Sequence, residues 1–181
     1  IKNKKQLSDI EQIAIGTFSP LEGFMVKSEL ESVLDTMRLP NGVIWPLPIL
    51  LDVDIDKGEN IVEGNTVALL DETNDFVGTI EVKEKYYYDK KLLSEKLYGS
   101  TDLKHPGVNI INSLKPVFLG GKISLFKKII KDYNKYHLTP KQARRLFDEK
   151  NWTKVVGFHT RNAIHRAHEF IQLSSLEKGK C

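Results

Sequence analysis

Sulfur is scarce in this sequence, which holds one cysteine, Cys181, and two methionines in 181 residues. A lone thiol cannot close an intrachain disulfide, so a cross-linked secreted scaffold is excluded and a reducing, cytoplasmic setting is expected. At the last position that thiol reads as incidental rather than as a nucleophile. No apolar run approaches the roughly 20 residues that span a bilayer. No basic start, apolar centre and small-residue cleavage site mark a signal peptide either, so no membrane association is expected. Internal repeats and low-complexity segments are also missing, which leaves no basis for a repeat array. Neither sign of charge dominates, at +3 with pI ≈ 8.8. Lys and Arg nevertheless crowd residues 83–154. That distribution suits attraction of anions, or else a solvated lysine-rich face, the plainer account. What is there is enough apolar sequence, 40% of residues, to bury one full core, or one core and part of another.

Along the chain, residues 8–15 read as a short helix capped by Ser8 or Asp9. Residues 16–25 carry turn residues Gly16, Pro20 and Gly23, yet Phe18, Leu21, Phe24 and Met25 are too apolar for a free loop, so a packed loop is expected. Residues 28–37 predict an amphipathic helix with Leu30, Val33, Leu34 and Met37 on one side and a capping box from Ser28 to Glu31. Residues 43–54 are β-like, but Pro46 and Pro48 restrict them to an edge or bulged strand. A turn over residues 57–65 leads into a hairpin of residues 66–70 and 76–84, with Phe76, Gly78, Ile80 and Val82 on one face. Further short β runs are expected at residues 116–119 and 122–130, making a small mixed β-barrel with helices on its edge.

Tyr86, Tyr87 and Tyr88 beside four lysines form the one aromatic and basic cluster, as a stacking platform for single-stranded nucleic acid would need. Three adjacent rings on a strand cannot share a face, so a strand end covering apolar surface is the favoured account. Residues 89–98 predict a helix stopped by Gly99, followed by a loop in which His105 is a hydrogen-bonded residue rather than a catalyst. Thr139 and Pro140 open another helix with Ala143, Leu146 and Phe147 on its buried side. The domain boundary is expected at residues 133–138, dividing residues 1–135 from residues 136–181.

Residues 155–169 concentrate the chemistry. Val155, Val156 and Phe158 suit a parallel strand, and Thr160 to Asn162 mark a strand-to-helix turn. A helix is expected from Ile164, placing His165 and His168 three residues apart on one face of its first turn. Unpaired backbone N–H groups and partial positive charge at a helix start favour anions. Arg161, a planar bidentate donor to tetrahedral oxyanions, directly precedes it. The alternatives are a surface histidine pair on an ordinary helix, or a zinc site completed by Glu169.

This segment resembles the ATP sulfurylase (sulfate adenylyltransferase) signature, Gln-(Thr/Leu)-Arg-Asn-Pro-x-His-x-x-His, with His159 in place of Gln and Ala163 in place of Pro. The His-x-x-His half is shared with the wider nucleotidyltransferase superfamily; Thr160-Arg161-Asn162 makes the match specific. Three more segments are similar to the family: Phe-Ser-Pro-Leu-x-Gly-Phe-Met ending at Met25, the stretch around Trp45, and the His-Pro-Gly-Val run starting at His105. The resemblance implies an α+β fold: a PUA-like mixed β-barrel with helices, followed by the first strand and helix of a Rossmann-like α/β nucleotidyltransferase domain, truncated. One strand and one helix cannot cover a parallel sheet, so a fragment of a longer chain is expected, as Ile rather than Met at position 1 also fits.

The implied reaction joins ATP and sulfate into adenylyl sulfate and pyrophosphate, or runs in reverse, with Mg²⁺ accompanying ATP. The implied catalytic and ATP-binding residues are Thr160, Arg161, Asn162, His165 and His168. His159 joins them at ATP and, with Arg161, holds sulfate; the choice of oxyanion turns on His159. No dedicated protein metal site is implied. A homo-oligomer of the full-length protein is compatible with this reading. Two other readings stand beside it: an RNA-binding PUA-type module, which the composition favours less, and a nucleotidyltransferase for another oxyanion.

Overall fold

A computed structural model describes residues 4–126 and 138–179, and the chain divides into two compact units, Ile1–Asn134 and Lys135–Cys181. All of the expected boundary at 133–138 except Leu138, the end of the last expected β run at 127–130, and Cys181 lie outside the described residues.

The first unit opens with α1 (Lys4–Ala14), which starts before the expected Ser8 cap because Leu7, Ile10 and Ile13 recur at helical spacing and are all buried. The packed loop is as expected: Leu21, Phe24 and Met25 are buried, and it contains the two-residue strand β1 (Gly23–Phe24). In α2 (Lys27–Thr36) the cap sits two residues earlier than expected and only half a box forms: the Glu29 carboxylate accepts the Val26 N–H at 3.0 Å, while the Val26 side chain has no atom to return a bond. Met37 is not on the apolar side. It takes the left-handed conformation at the end of α2 and is 64% exposed.

The expected strand at 43–54 shrinks to β2 (Leu51–Val53), because Pro46 and Pro48 leave no continuous ladder before it. The expected turn after it holds a short helix, α3 (Ile55–Glu59). The hairpin is β3 (Thr66–Leu70) and β4 (Phe76–Tyr87), reversed where Asp71 Oδ1 accepts the N–H groups of Thr73 and Asp75. Then come α4 (Lys90–Tyr98), capped by the Asp89 carboxylate and ended by Gly99 at φ +64°, and α5 (Pro106–Ser113), capped by His105 Nδ1. The loop expected around His105 is therefore a helix start, and the ring of His105 is its cap.

The two short β runs expected at the end of this unit are one strand, β5 (Val117–Leu125). Gly120 and Gly121 read as a break, but here they allow close packing inside the central strand. A Cβ on Gly121 would lie 2.0 Å from the Glu81 carbonyl oxygen. The described sheet runs β1-β5-β4-β3 with β2 also on β5, and every described pairing is antiparallel. The expected mixed barrel is thus an antiparallel sheet, and no described pairing closes it. Only β3 and β4 are joined by a tight turn; β4 returns to β5 through α4 and α5, and β1 and β2 reach β5 from far along the chain.

One inserted residue organises the core. A bulge between Val82 and Glu84 shifts the register of β4 against β5, and a one-residue slip sends the following side chains to the opposite face. Ile80 and Val82 therefore pack with Val117, Leu119 and Ile123 beneath α1, while Tyr86 packs with Phe118, Leu30, Leu93 and Ile111 beneath α2, α4 and α5. The sheet is buried on both faces. At the other end of β4, Phe76 is exposed and Val77 is buried, reversing the expected order for that pair.

Of the three tyrosines, Tyr86 is buried and donates its hydroxyl to the Met25 carbonyl at 2.9 Å, Tyr87 is exposed, and Tyr88 packs on the second cluster. They form no common stacking face. Burial pushes the Tyr86 phenol well above its ordinary range, with nearby Glu84, Glu29 and Glu31 adding to the effect. The folded state therefore favours the protonated phenol. That stability is fully present below about pH 10, the unfolded value, and is lost as pH rises further. Tyr86→Phe should cost about 1–3 kcal/mol at pH 7 by orphaning a buried carbonyl, and should flatten the alkaline decline. Urea titrations at pH 7 to 11 measure both, and an unchanged alkaline limb would contradict this account.

Candidate functional site

The second unit is built from two helices and the segment between them. Thr139 caps α6 (Pro140–Glu149) in a capping box: its hydroxyl accepts the Gln142 N–H, and Gln142 Oε1 accepts the Thr139 N–H at 2.9 Å. Ala143, Leu146 and Phe147 lie on one side as expected, but they are only half-buried. Phe147 packs on Trp152, with ring centroids 6.0 Å apart.

Residues 155–165 contain no strand. The parallel strand expected at Val155 to Phe158 is absent because an extended segment becomes a strand only by pairing, and no strand is described elsewhere in this unit. The helix α7 (Arg166–Gly179) begins two residues later than expected. His165 stands immediately before it, and the His165 carbonyl accepts the Glu169 N–H at 3.1 Å.

Within this turn, Thr160 Oγ1 accepts the Asn162 N–H at 3.1 Å, so Thr160 and Asn162 shape the bend locally. Arg161 and His159 are exposed, and among the described residues neither has a hydrogen-bond or ion-pair partner. His165 and His168 are brought together, their ring centroids 3.9 Å apart and inclined by 34°. The His165 N–H donates to His168 Nδ1 at 3.4 Å. Phe158, read from the sequence only as a strand residue, makes an edge-to-face contact with His168 at 5.6 Å and 68°. The available signal for it was an aromatic residue two positions ahead of Thr160.

Thus Arg161 offers a planar fork of donors, and two imidazoles meet at the first turn of a helix whose N–H groups face that end. Such donors can bind tetrahedral oxyanions and offset charge on phosphate oxygens. Among the described residues no group of three or more His, Cys, Asp or Glu side chains gathers, so His165, His168 and Glu169 do not form the alternative zinc ligand set.

The architecture of the first unit is that of an α+β domain with a two-faced antiparallel sheet. A family model described as a PUA-like domain matches residues 2–128, and one described as ATP-sulfurylase matches residues 134–181. A sulfate adenylyltransferase from Trichodesmium erythraeum is 44% identical over 176 residues, covering 97% of this chain and 45% of the relative. The sulfate adenylyltransferase of Halothermothrix orenii is 41% identical over 177 residues, covering 97% of this chain and 46% of the relative. Among solved structures, a hexameric APS kinase from Thiobacillus denitrificans superposes with a TM-score of 0.73 at 20% identity, over 99% of this chain and 31% of that one. That likeness concerns the fold alone.

The chain therefore belongs to the PUA-like domain family over residues 2–128, and the segment that follows, residues 134–181, is similar to the ATP-sulfurylase family. The chain spans about 45% of the length of the curated relatives it matches. Among the described residues no helix is long and apolar enough to cross a membrane.

Proposed function

We propose that this chain serves as the N-terminal part of a longer sulfate adenylyltransferase, with residues 1–135 as the PUA-like domain and residues 136–181 as the start of the catalytic domain. The observation that carries this reading is the paired rings of His165 and His168, 3.9 Å apart at the first turn of α7, with exposed Arg161 just upstream. In the longer protein, residues 155–158 would become the first strand of a Rossmann-like domain. The apolar residues Val155, Val156, Phe170, Ile171 and Leu176, each at least 48% exposed here, support that expectation.

A sulfate oxygen attacks the α-phosphorus of ATP, the new P–O bond forms adenylyl sulfate, and the bond to the bridging oxygen breaks as pyrophosphate leaves. Sulfate is already deprotonated, so no general base is required. Arg161 and His159 hold sulfate. Thr160 and Asn162 set the turn and donate to the bound anions, and His165 and His168 donate to phosphate oxygens as charge grows. Mg²⁺, when bound with ATP, neutralises phosphate charge. It is expected to be held chiefly by the nucleotide's phosphates, as that ion prefers. The cytoplasm is the expected location.

The decisive measurement is sulfate-dependent exchange of labelled pyrophosphate into ATP. Full-length protein should catalyse it, and the 181-residue chain alone should not. A full-length protein that exchanges only with molybdate, selenate or phosphate would move the assignment to another oxyanion and place the cause at His159. Turnover by the short chain would show that this part already holds a complete site.

A further inference from the structure

We propose that Phe158 is a positioning residue for His168, bracing its ring so that Nδ1 stays on the His165 backbone N–H and Nε2 remains the hydrogen-bond donor toward a phosphate oxygen. This rests on the sulfate adenylyltransferase reading. Three contacts define the arrangement. The Phe158 ring meets that of His168 edge to face, with centroids 5.6 Å apart at 68°. The His168 ring lies 3.9 Å from that of His165. His168 Nδ1 accepts the His165 N–H at 3.4 Å.

The chemistry follows from the inventory of a neutral imidazole, in which one nitrogen carries the proton and the other accepts. Because Nδ1 accepts a backbone N–H, the proton belongs on Nε2. A phosphate oxygen accepts only, so the other tautomer would turn a lone pair toward it and lose the bond. His168 is thus useful at an oxyanion only while its capping bond holds. That bond is long, and a ring free to rotate about its side chain would break it. Phe158, only 38% exposed among neighbours that are more open, supplies a contact that limits that rotation. Phe158 has no polar atom and cannot itself stabilise reacting charge.

The test compares full-length protein with its Phe158→Ala, Phe158→Leu and Phe158→Tyr variants. Losing a contact that matters only as charge develops lowers kcat and kcat/KM together, so the Ala and Leu variants should lose about tenfold in kcat, with KM for ATP and sulfate within about twofold. The Tyr variant keeps the ring and should stay within about threefold of the parent. In parallel, ¹⁵N spectra of histidine-labelled protein, assigned with His168→Gln, should give a fixed Nε2–H tautomer in the parent and a tautomer mixture in the Leu variant. An active parent with unchanged kcat in both the Ala and Leu variants overturns the proposal, as does an identical His168 spectrum in the parent and Leu variant. If the parent shows no sulfate-dependent exchange, the functional reading fails while the spectra still decide the role of Phe158. Thermal midpoints identify a misfolded Ala variant, in which case the Leu variant carries the kinetic arm.

Discussion

Replacing Arg161 by alanine in the full-length protein is expected to lower sulfate-dependent pyrophosphate exchange by about 10²–10³-fold, as the loss of one well-placed donor to developing charge does. Arg161 is exposed and, among the described residues, has no hydrogen-bond or ion-pair partner. Its removal therefore orphans no buried charge, and stability should stay within about 0.5 kcal/mol of the parent. Activity and folding are thereby separated, which is uncommon for a residue in a turn. Arg161→Lys keeps the charge but loses the planar fork, so it should recover only part of the activity and should raise KM for sulfate. Exchange rates within about threefold of the parent for the alanine variant would remove Arg161 from the site. The Thr160 to Asn162 hydrogen bond is local and should survive either change.

The largest expected effect on stability lies in the first unit. Phe118→Ala should cost about 3–5 kcal/mol, the range for truncating a large buried aromatic. Phe118 is 0% exposed in β5, stacks on Tyr86 with centroids 5.6 Å apart, and packs among Leu30, Leu93 and Ile111. The cavity would open between the sheet and α2, α4 and α5, where a rigid strand cannot collapse to fill it. Since whole domains are stable by only about 5–15 kcal/mol, the urea midpoint should fall sharply and the chain could lose its fold at elevated temperature. Phe118→Leu, which refills most of the volume, should cost less. A loss below about 1 kcal/mol for the alanine variant would contradict the central place given to β5.

Much of the local structure was legible in the sequence because its partners lie within a few residues. The carboxylate of Asp89 reaches the N–H groups of Lys91 and Leu92, Gly99 supplies the left-handed end of α4, and Thr139 and Gln142 cap each other. Asp71 closes its own hairpin. The misread starts of α1 and α2 have a related cause. Ser8 is a good cap in isolation, but burial of Leu7 with Ile10 and Ile13 extends the helix past it. Glu29 caps α2 through Val26, which no side-chain preference would have singled out.

The candidate site was legible as residue types and order. Arg161, His165 and His168 were named from their chemistry and spacing, Thr160 and Asn162 from the resemblance, and residues 134–181 are similar to the family in question. The contact between Phe158 and His168 spans ten residues and the stacking of the two histidines depends on where α7 begins, so neither follows from a pattern read along the chain.

By itself, then, the sequence determined the helices with strong local caps, the β3–β4 hairpin, the apolar residues of the core and the order of the donor residues in the candidate site. Tertiary structure alone decided which face each of those residues occupies. The bulge after Val82 turns Tyr86 away from Ile80 and toward Phe118, and the close approach of β5 to Glu81 makes Gly120 and Gly121 part of a strand rather than a turn. Hydrogen bonds between near neighbours are encoded where they form. Strand register is set by a partner far along the chain, and one residue of slip there exchanges inside for outside.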